Sequence, residues 1–257
     1  MKVSVVIPFK NEALIVEDCL RSLLTQTVLP DEIIAVDNGS TDRTYQKLQS
    51  LRSLLEVKGV ELTVLSCPDG NQIEARTLGF GKAQHDLIAT IDADTRLEPS
   101  WIVNARDFFE RRPHAVGTGG VVIYDDPVVT LLHRLCFHFI CLFPKNYFFY
   151  GCNGVFKRSA YQQCGGLQGC GDLRKRLGLR DTHEDVFLGF RLKKVGEVQP
   201  NPKLKARVLS RDNGRQVGTA RALSRMRRQL RDTLILQRHL IRELKRSESV
   251  RSAQPRG

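Results

Sequence analysis

The chain has 257 residues, 41% of them hydrophobic and 26% charged, with a formal net charge of +12. That length and balance suit one large domain with a full core, or one and a half, of ordinary globular composition, with no disorder signal before the tail. The positive excess is confined to the end: residues 1–202 hold 24 Lys+Arg and 24 Asp+Glu, and residues 203–257 hold 16 and 4, so the body is not a fold built to grip nucleic acid throughout.

The first residues, Met1 to Pro8, hold too few apolar side chains before the proline for a secretory leader and read as a strand. The longest apolar stretch, Val128 to Phe143, is interrupted by His133, Arg134 and His138 and falls short of the roughly 20 residues that span a bilayer. Seven cysteines, odd in number and without a C-x-x-C pair, suggest reduced thiols and a cytoplasmic protein, neither disulfide-framed nor zinc-bound.

Val3 to Ile7 is a β-branched run for the middle of a sheet, stopped by Pro8. Asn11 and Glu12 open a helical pattern with Leu14, Ile15, Cys19, Leu20, Leu23 and Leu24 on one face. Glu32 to Val36 is the second strand, followed by the polar turn Asp37 to Asp42 and a helix over Thr44 to Leu55. Leu62 to Leu65 is the third strand, and Asn71-Gln72-Ile73-Glu74 caps the next helix. The fourth strand begins at Leu87 and ends at Asp92, and Pro99 starts a helix. Alternating strands and helices imply a mostly parallel, doubly wound α/β sheet flanked by helices. Such a sheet delivers the carboxyl ends of its strands to one edge, where ligands bind.

Three polar segments therefore converge: Pro8 to Glu12, Asp37 to Asp42 and Asp92 to Asp94. Asp92 and Asp94 are two residues apart, so in an extended chain they point the same way and suit a hard cation that keeps positions open for phosphate oxygens. A D-x-D also arises by chance, and Asp before a helix is an ordinary cap. The convergence raises it above either.

VSVVIPFKNE (Val3 to Glu12), IIAVDNGSTDRT (Ile33 to Thr44), Ala75-Arg76 and ATIDADTRLEPSWI together resemble the nucleotide-sugar half of family-2 glycosyltransferases of the GT-A, Rossmann-like fold. The resemblance covers nearly all of the first 125 residues. It implies a nucleoside framed by Pro8, Phe9, Asn11 and Glu12, with Asp37 and Asn38 at the base. Asp37 would accept a pyrimidine N–H; its other reading is a turn or cap residue beside Asn38-Gly39-Ser40. It further implies Arg76 facing the diphosphate, Asp92 and Ala93 near the ribose, and Mn or Mg on Asp94 with Asp92 beside it. Thr77 replaces a usual Asn and Thr95 a frequent third Asp. The Q-x-x-R-W motif of processive polysaccharide synthases is absent, which favours single transfer.

In the second half, Gly117 to Tyr124 reads as a strand whose glycines admit a ligand or another backbone. After an apolar helix over 128–143, a strand over Tyr150 to Phe156, its helix and Gly165-Gly166 are similar to the family's acceptor-side segment, with Gly151, Asn153 and Glu184 as acceptor-side residues. The basic loop Gly169 to Arg180 is a lid or a plain surface excursion. Thr182-His183-Glu184-Asp185 fits a T-x-x-D capping box, and it also matches the family's acidic motif, in which Asp185 would be the catalytic base of an inverting displacement.

From Thr219 to Arg246, Leu223, Met226, Leu230, Leu234, Ile241 and Leu244 recur at helical spacing among Arg221, Arg225, Arg228, Arg231, Arg238, Arg242 and Lys245. This basic amphipathic helix either packs on the domain or attaches to an anionic membrane surface at the inner membrane face, within reach of a glycan or lipid-linked acceptor. The boundaries read 1–125 for the nucleotide-sugar half, 126–210 for the acceptor half, 211–246 for the helix and 247–257 for a disordered tail. A sugar nucleotidyltransferase would need a Gly-rich N-terminal loop, which Pro8 to Glu12 lacks. A nucleic-acid or membrane-surface binder without catalysis would rest on the tail alone, and no nucleic-acid partner is expected.

Overall fold

A computed structural model describes residues 1–68, 70–142, 150–209, 211–212, 215–216 and 218–252. In chain order the elements are β1 Val3–Phe9, α1 Val16–Leu24, β2 Glu32–Asp37, α2 Thr44–Ser50, α3 Arg52–Val57, β3 Glu61–Ser66, α4 Gln72–Lys82, β4 Leu87–Thr90, β5 Thr95–Leu97 and α5 Trp101–Arg111. There follow β6 Ala115–Tyr124, α6 Pro127–Leu142, β7 Gly154–Lys157, α7 Arg158–Gln163, α8 Cys170–Leu177, α9 Glu184–Leu192, β8 Glu197–Val208, the short pair β9 Arg211–Asp212 and β10 Arg215–Gln216, and α10 Thr219–Ser252.

Eight strands form one sheet in the order β3-β2-β1-β4-β7-β6-β8-β5. The first four are parallel neighbours, as the alternating pattern requires, and β6 runs parallel to β8. β7 is antiparallel to both β4 and β6, so it begins at the edge where the parallel strands end. Strand alternation divides the core into two layers. Val3, Val5, Ile7, Ile33, Ala35, Leu87 and Ala89 face one way, onto residues of α1, α2, α3 and α5. Val6, Ile34, Val36 and Ile88 face the other, onto α4, α7, α8, α9 and parts of α6 and α10.

Several sequence expectations need correcting. β1 does not stop at Pro8; it continues to Phe9, paired with Asp37. The Pro8 nitrogen is harmless there, because the β1–β4 ladder has already ended at Val6 opposite Thr90. Leu14 is exposed, and the apolar face of α1 is Val16, Cys19, Leu20 and Leu23. The helix expected over 44–55 is two, tightened at Leu51, whose N–H reaches both Lys47 and Leu48 carbonyls. The basic loop at 169–180 is largely α8, since Cys170, Leu173 and Leu179 are buried in the second core layer and hold it down. The strand expected from Tyr150 begins only at Gly154, after a single bridge between Tyr150 and Asn153.

β5 and β8 were not anticipated. β8 is disguised by Pro200, Pro202 and exposed lysines, yet Leu204 and Ala206 alternate into the core. Gly120 shows which close approach the glycines of β6 serve: a Cβ there would lie 1.9 Å from the Leu204 carbonyl oxygen, so the neighbour is backbone and not a ligand. α10 runs to Ser252, six residues beyond the expected end. The remainder of the expected tail, 253–257, and the side chains of Arg221, Arg225, Met226, Leu244 and Lys245 lie outside the described residues. Among the described residues no helix is long and apolar enough to cross a membrane.

Candidate active site

The carboxyl edge of β1, β2 and β4 carries a cleft of about 420 Å³. Its lining includes Pro8 and Phe9 at the end of β1 with Glu12 beyond it, Asn38 after β2, and Asp92, Ala93 and Asp94 after β4, all in segments the pattern brings together. Lys10, Gly70, Asn71 and Gln72 also line it and were missed. Asn71 had been recognised only as a helix cap, which it is: its Oδ1 accepts from the N–H groups of Ile73 (2.9 Å) and Glu74 (3.3 Å). Cap and lining coincide because a helix beginning at a parallel sheet's carboxyl edge presents its first turn to the ligand.

The turns around the cleft are tied to one another. Asn11, in the left-handed region at φ 57°, accepts from the Thr41 N–H (2.8 Å) and takes the Ser40 hydroxyl on its own N–H (3.0 Å). Its side chain therefore joins the β1 and β2 turns and does not line the cleft. Asp37 is 5% exposed; its Oδ2 accepts the Ser40 N–H at 3.3 Å, while Oδ1 has no hydrogen-bond partner among the described residues. Asn38 Oδ1 is buried in the same condition, and its N–H donates to the Phe9 carbonyl at 2.7 Å. Buried acceptors without donors are costly unless something supplies an N–H or O–H.

Asp92-Ala93-Asp94 is a turn and not the extended segment first assumed, closed by the Thr95 N–H on the Asp92 carbonyl (3.0 Å). Ala93 drops its methyl into the core while both acids line the cleft. Thr95 is fully buried as the first residue of β5.

Arg76 departs from the expectation that it faces the diphosphate. It is 1% exposed, and protein groups take up its guanidinium: Nη2 meets Asp92 Oδ1 at 2.5 Å, Nη1 donates to the Gly151 carbonyl at 3.1 Å and to the Thr90 hydroxyl, and Nε lies 2.9 Å from Glu184 Oε1. The Glu184 contact is an ion pair without hydrogen-bond alignment. Arg76 thus couples the donor-side Asp92 to the acid pair that opens α9.

Asp185 sits beside this arginine. Its Oδ2 accepts the Gly151 N–H at 3.0 Å and its Oδ1 the Val186 N–H at 2.8 Å. Burial first, and then the neighbouring Glu184 charge, push its carboxyl up to about 6, against those two N–H groups and Arg76. A Cβ at Gly151 would be tight, standing 3.0 Å from Arg76 Nη2, so even alanine would need that guanidinium to shift by a few tenths of an ångström. The T-x-x-D capping box does not form. His183 occupies the cap position at φ 48° with no side-chain cap bond, and Asp185 is turned toward Gly151 instead.

Asn153 is likewise corrected. Fully buried, it accepts the Trp101 indole N–H at 2.7 Å and donates to the Val121 and Leu204 carbonyls, so it ties sheet to α5 and faces no acceptor. The intervening Cys152 reports how closely the acids gather: burial, and then the charges of Asp92, Asp94 and Asp185, hold its thiol well above the ordinary range. Among the described residues no group of three or more His, Cys, Asp or Glu side chains is arranged to hold a metal.

Comparison with known proteins agrees with this layout. The chain is 32% identical over 110 residues to glucosyl-dolichyl phosphate glucuronosyltransferase of Haloferax volcanii, covering 42% of this chain and 33% of that one. It is 36% identical over 104 residues to dolichol-phosphate mannosyltransferase of Pyrococcus furiosus, covering 40% and 28%. The chain thus spans about a third of the length of these curated relatives. Among solved structures it is similar to mannosyltransferase PcManGT from Pyrobaculum calidifontis in complex with GDP-Man and Mn2+, at TM-score 0.63 and 20% identity over 83% of this chain and 58% of that one. GalNAc-T7 with UDP, GalNAc and Mn2+ gives 0.61 and 16% over 84% and 45%. At such identities these likenesses show the fold, which is GT-A. Residues 4–165, carrying β1 to β4 and the cleft they frame, match the pattern of Glycosyl transferase family 2, and the chain belongs to that family.

Proposed function

We propose that the chain moves a sugar from a nucleoside-diphosphate sugar to an acceptor hydroxyl in a single inverting transfer, with Asp185 as general base. The observation that carries this reading is the Asp185 carboxylate, fixed by the Gly151 N–H at the edge that holds the cleft and raised to about 6 by its surroundings. A base whose conjugate acid titrates near neutrality is ionised at pH 7 and still takes a proton readily, the condition under which general-base help reaches about 10²–10⁴-fold. Its partners set its direction: the Gly151 and Val186 N–H groups orient the carboxylate, and Glu184, fastened to Arg76, supplies the nearby negative charge.

The donor would lie across the cleft, with its base at Asp37 and Asn38, whose buried acceptor oxygens suit an N–H from the ring edge. Asp92, engaged by Arg76 and lining the cleft, would lie on the ribose side. A divalent metal fits the remaining donor set. Asp94 lines the cleft as a carboxylate, and Mn or Mg is commonly held by one or two carboxylates with substrate phosphates completing its shell. Such an ion, when bound, neutralises charge on the departing diphosphate as a Lewis acid.

A relative named as a glucosyl-dolichyl phosphate glucuronosyltransferase supports an acceptor hydroxyl on a sugar carried by a lipid. The test is nucleoside-diphosphate release from a panel of uridine and guanosine diphosphate sugars with Mn or Mg. Release by the parent chain and none by Asp185→Asn, with donor binding by calorimetry intact, is expected. Full turnover by Asp185→Asn removes the base assignment.

A further inference from the structure

Two helices on one flank bury one side of themselves and leave an apolar side uncovered. On α6, Val129 and Phe137 are buried while Val128, Leu131, Leu132 and Leu135 are exposed, Leu131 and Leu135 at 58% each. Their three-, four- and seven-residue spacing places the exposed four on one helix face. On α10, Asp232, Leu236 and Leu240 are buried, and Leu230, Leu234 and Ile241 are 46–52% exposed on the other side. Arg227, Arg231, Arg238 and Arg242, all exposed, run beside that apolar stripe. The two helices touch, and the Thr219 hydroxyl at the start of α10 donates to the Asp126 carboxylate, just before α6, at 2.5 Å.

The α10 helix has a separate side for each reading of the tail sequence. The inner side of α10 packs into the second core layer through Leu236 and Leu240, so its outer side is presented by a fixed element. An outward leucine stripe flanked by arginines is the composition of a helix lying in a membrane interface, apolar side in the acyl boundary and cations at the headgroups. A symmetric contact between two copies would set the arginine rows near each other, and like charges brought together oppose association. A nucleic acid would leave the leucines without a partner. We infer that the outward sides of α6 and α10 form a docking surface for an anionic lipid bilayer.

This inference does not use the transfer chemistry, and its test needs neither donor nor acceptor. The full chain is sedimented with phosphatidylcholine vesicles with and without phosphatidylglycerol. Binding only to the anionic vesicles, weakened by salt, is expected. Replacing Arg227, Arg238 and Arg242 together by Gln should weaken it on the order of 100-fold, at about fivefold per cation. L131S/L135S/L234S should abolish the part of binding that survives high salt. All six positions are exposed, so the unfolding midpoint should stay unchanged and serves as the control for folding. The inference is overturned if the parent stays in the supernatant with anionic vesicles, or if the variants bind as the parent does. It is also overturned if the serine variant merely converts a dimer to a monomer in sedimentation velocity without change in vesicle binding.

Discussion

Replacing the proposed base should make the protein more stable at neutral pH while it stops turnover. The Asp185 carboxyl is raised from 3.8 to about 6, so the folded state favours its protonated form. A carboxyl whose folded value is raised adds stability that is complete below the unfolded value and is lost as pH climbs through the folded one. At pH 7.5 the ionised side chain therefore costs about 3 kcal/mol, from roughly 2 units at 1.36 kcal/mol each. Asp185→Asn removes that cost but keeps only part of the carboxylate's hydrogen bonding. The amide oxygen can accept either the Gly151 or the Val186 N–H, and the lost bond costs about 1–1.5 kcal/mol. The net gain is on the order of 2 kcal/mol, a rise in Tm of a few degrees for a chain of this size. Thermal unfolding of both proteins at pH 4, 6 and 7.5 checks the sign as well as the size. The advantage of Asn should be absent or reversed at pH 4, grow through pH 6 and level off above 7. Asn less stable than Asp at pH 7.5, or a difference independent of pH, refutes the strained-base account even if activity is lost.

In wild type, kcat/KM should rise with pH through about 6 as Asp185 ionises, read from diphosphate release at saturating metal. Arg76→Met strands Glu184, which is 5% exposed, and removes one partner of Asp92; breaking the buried Arg76–Glu184 pair costs about 3–5 kcal/mol, to be seen as a lower urea midpoint. Asp94→Asn should leave metal-free donor affinity unchanged and remove the increment that Mn adds, measured by calorimetry with and without the ion. Equal Mn enhancement in parent and variant would show that the ion is held elsewhere.

The first half of the fold was legible because parallel strands announce themselves. Each of β1 to β4 is a short β-branched or apolar run closed by a polar turn, and the topology of such units fixes that their turns meet. Nothing comparable marks the second half. β8 mixes prolines and lysines with its core residues, and β7 is four residues long, so neither its antiparallel direction nor its place between β4 and β6 shows in the pattern. Arg76, Gly151, Asn153 and Glu184 all lie in or around the site, but the side chains of Arg76 and Asn153 turn inward and are consumed by protein partners.

That inward turn explains how the two halves form one site. β7 runs against β4, so Gly151 to Asn153 precede it at the edge where Thr90 and Asp92 end the parallel strand. Arg76, on the helix between β3 and β4, then reaches Thr90, Asp92 and Gly151 at once and extends to Glu184. A guanidinium has five donors in a fixed plane, which suits four partners from three segments; a lysine in its place would satisfy fewer. The spacing between the Asp92 turn and Asp185 is therefore set by a buried cation and one glycine carbonyl. Displacing Arg76 should separate Asp92 from Asp185 without unfolding either turn.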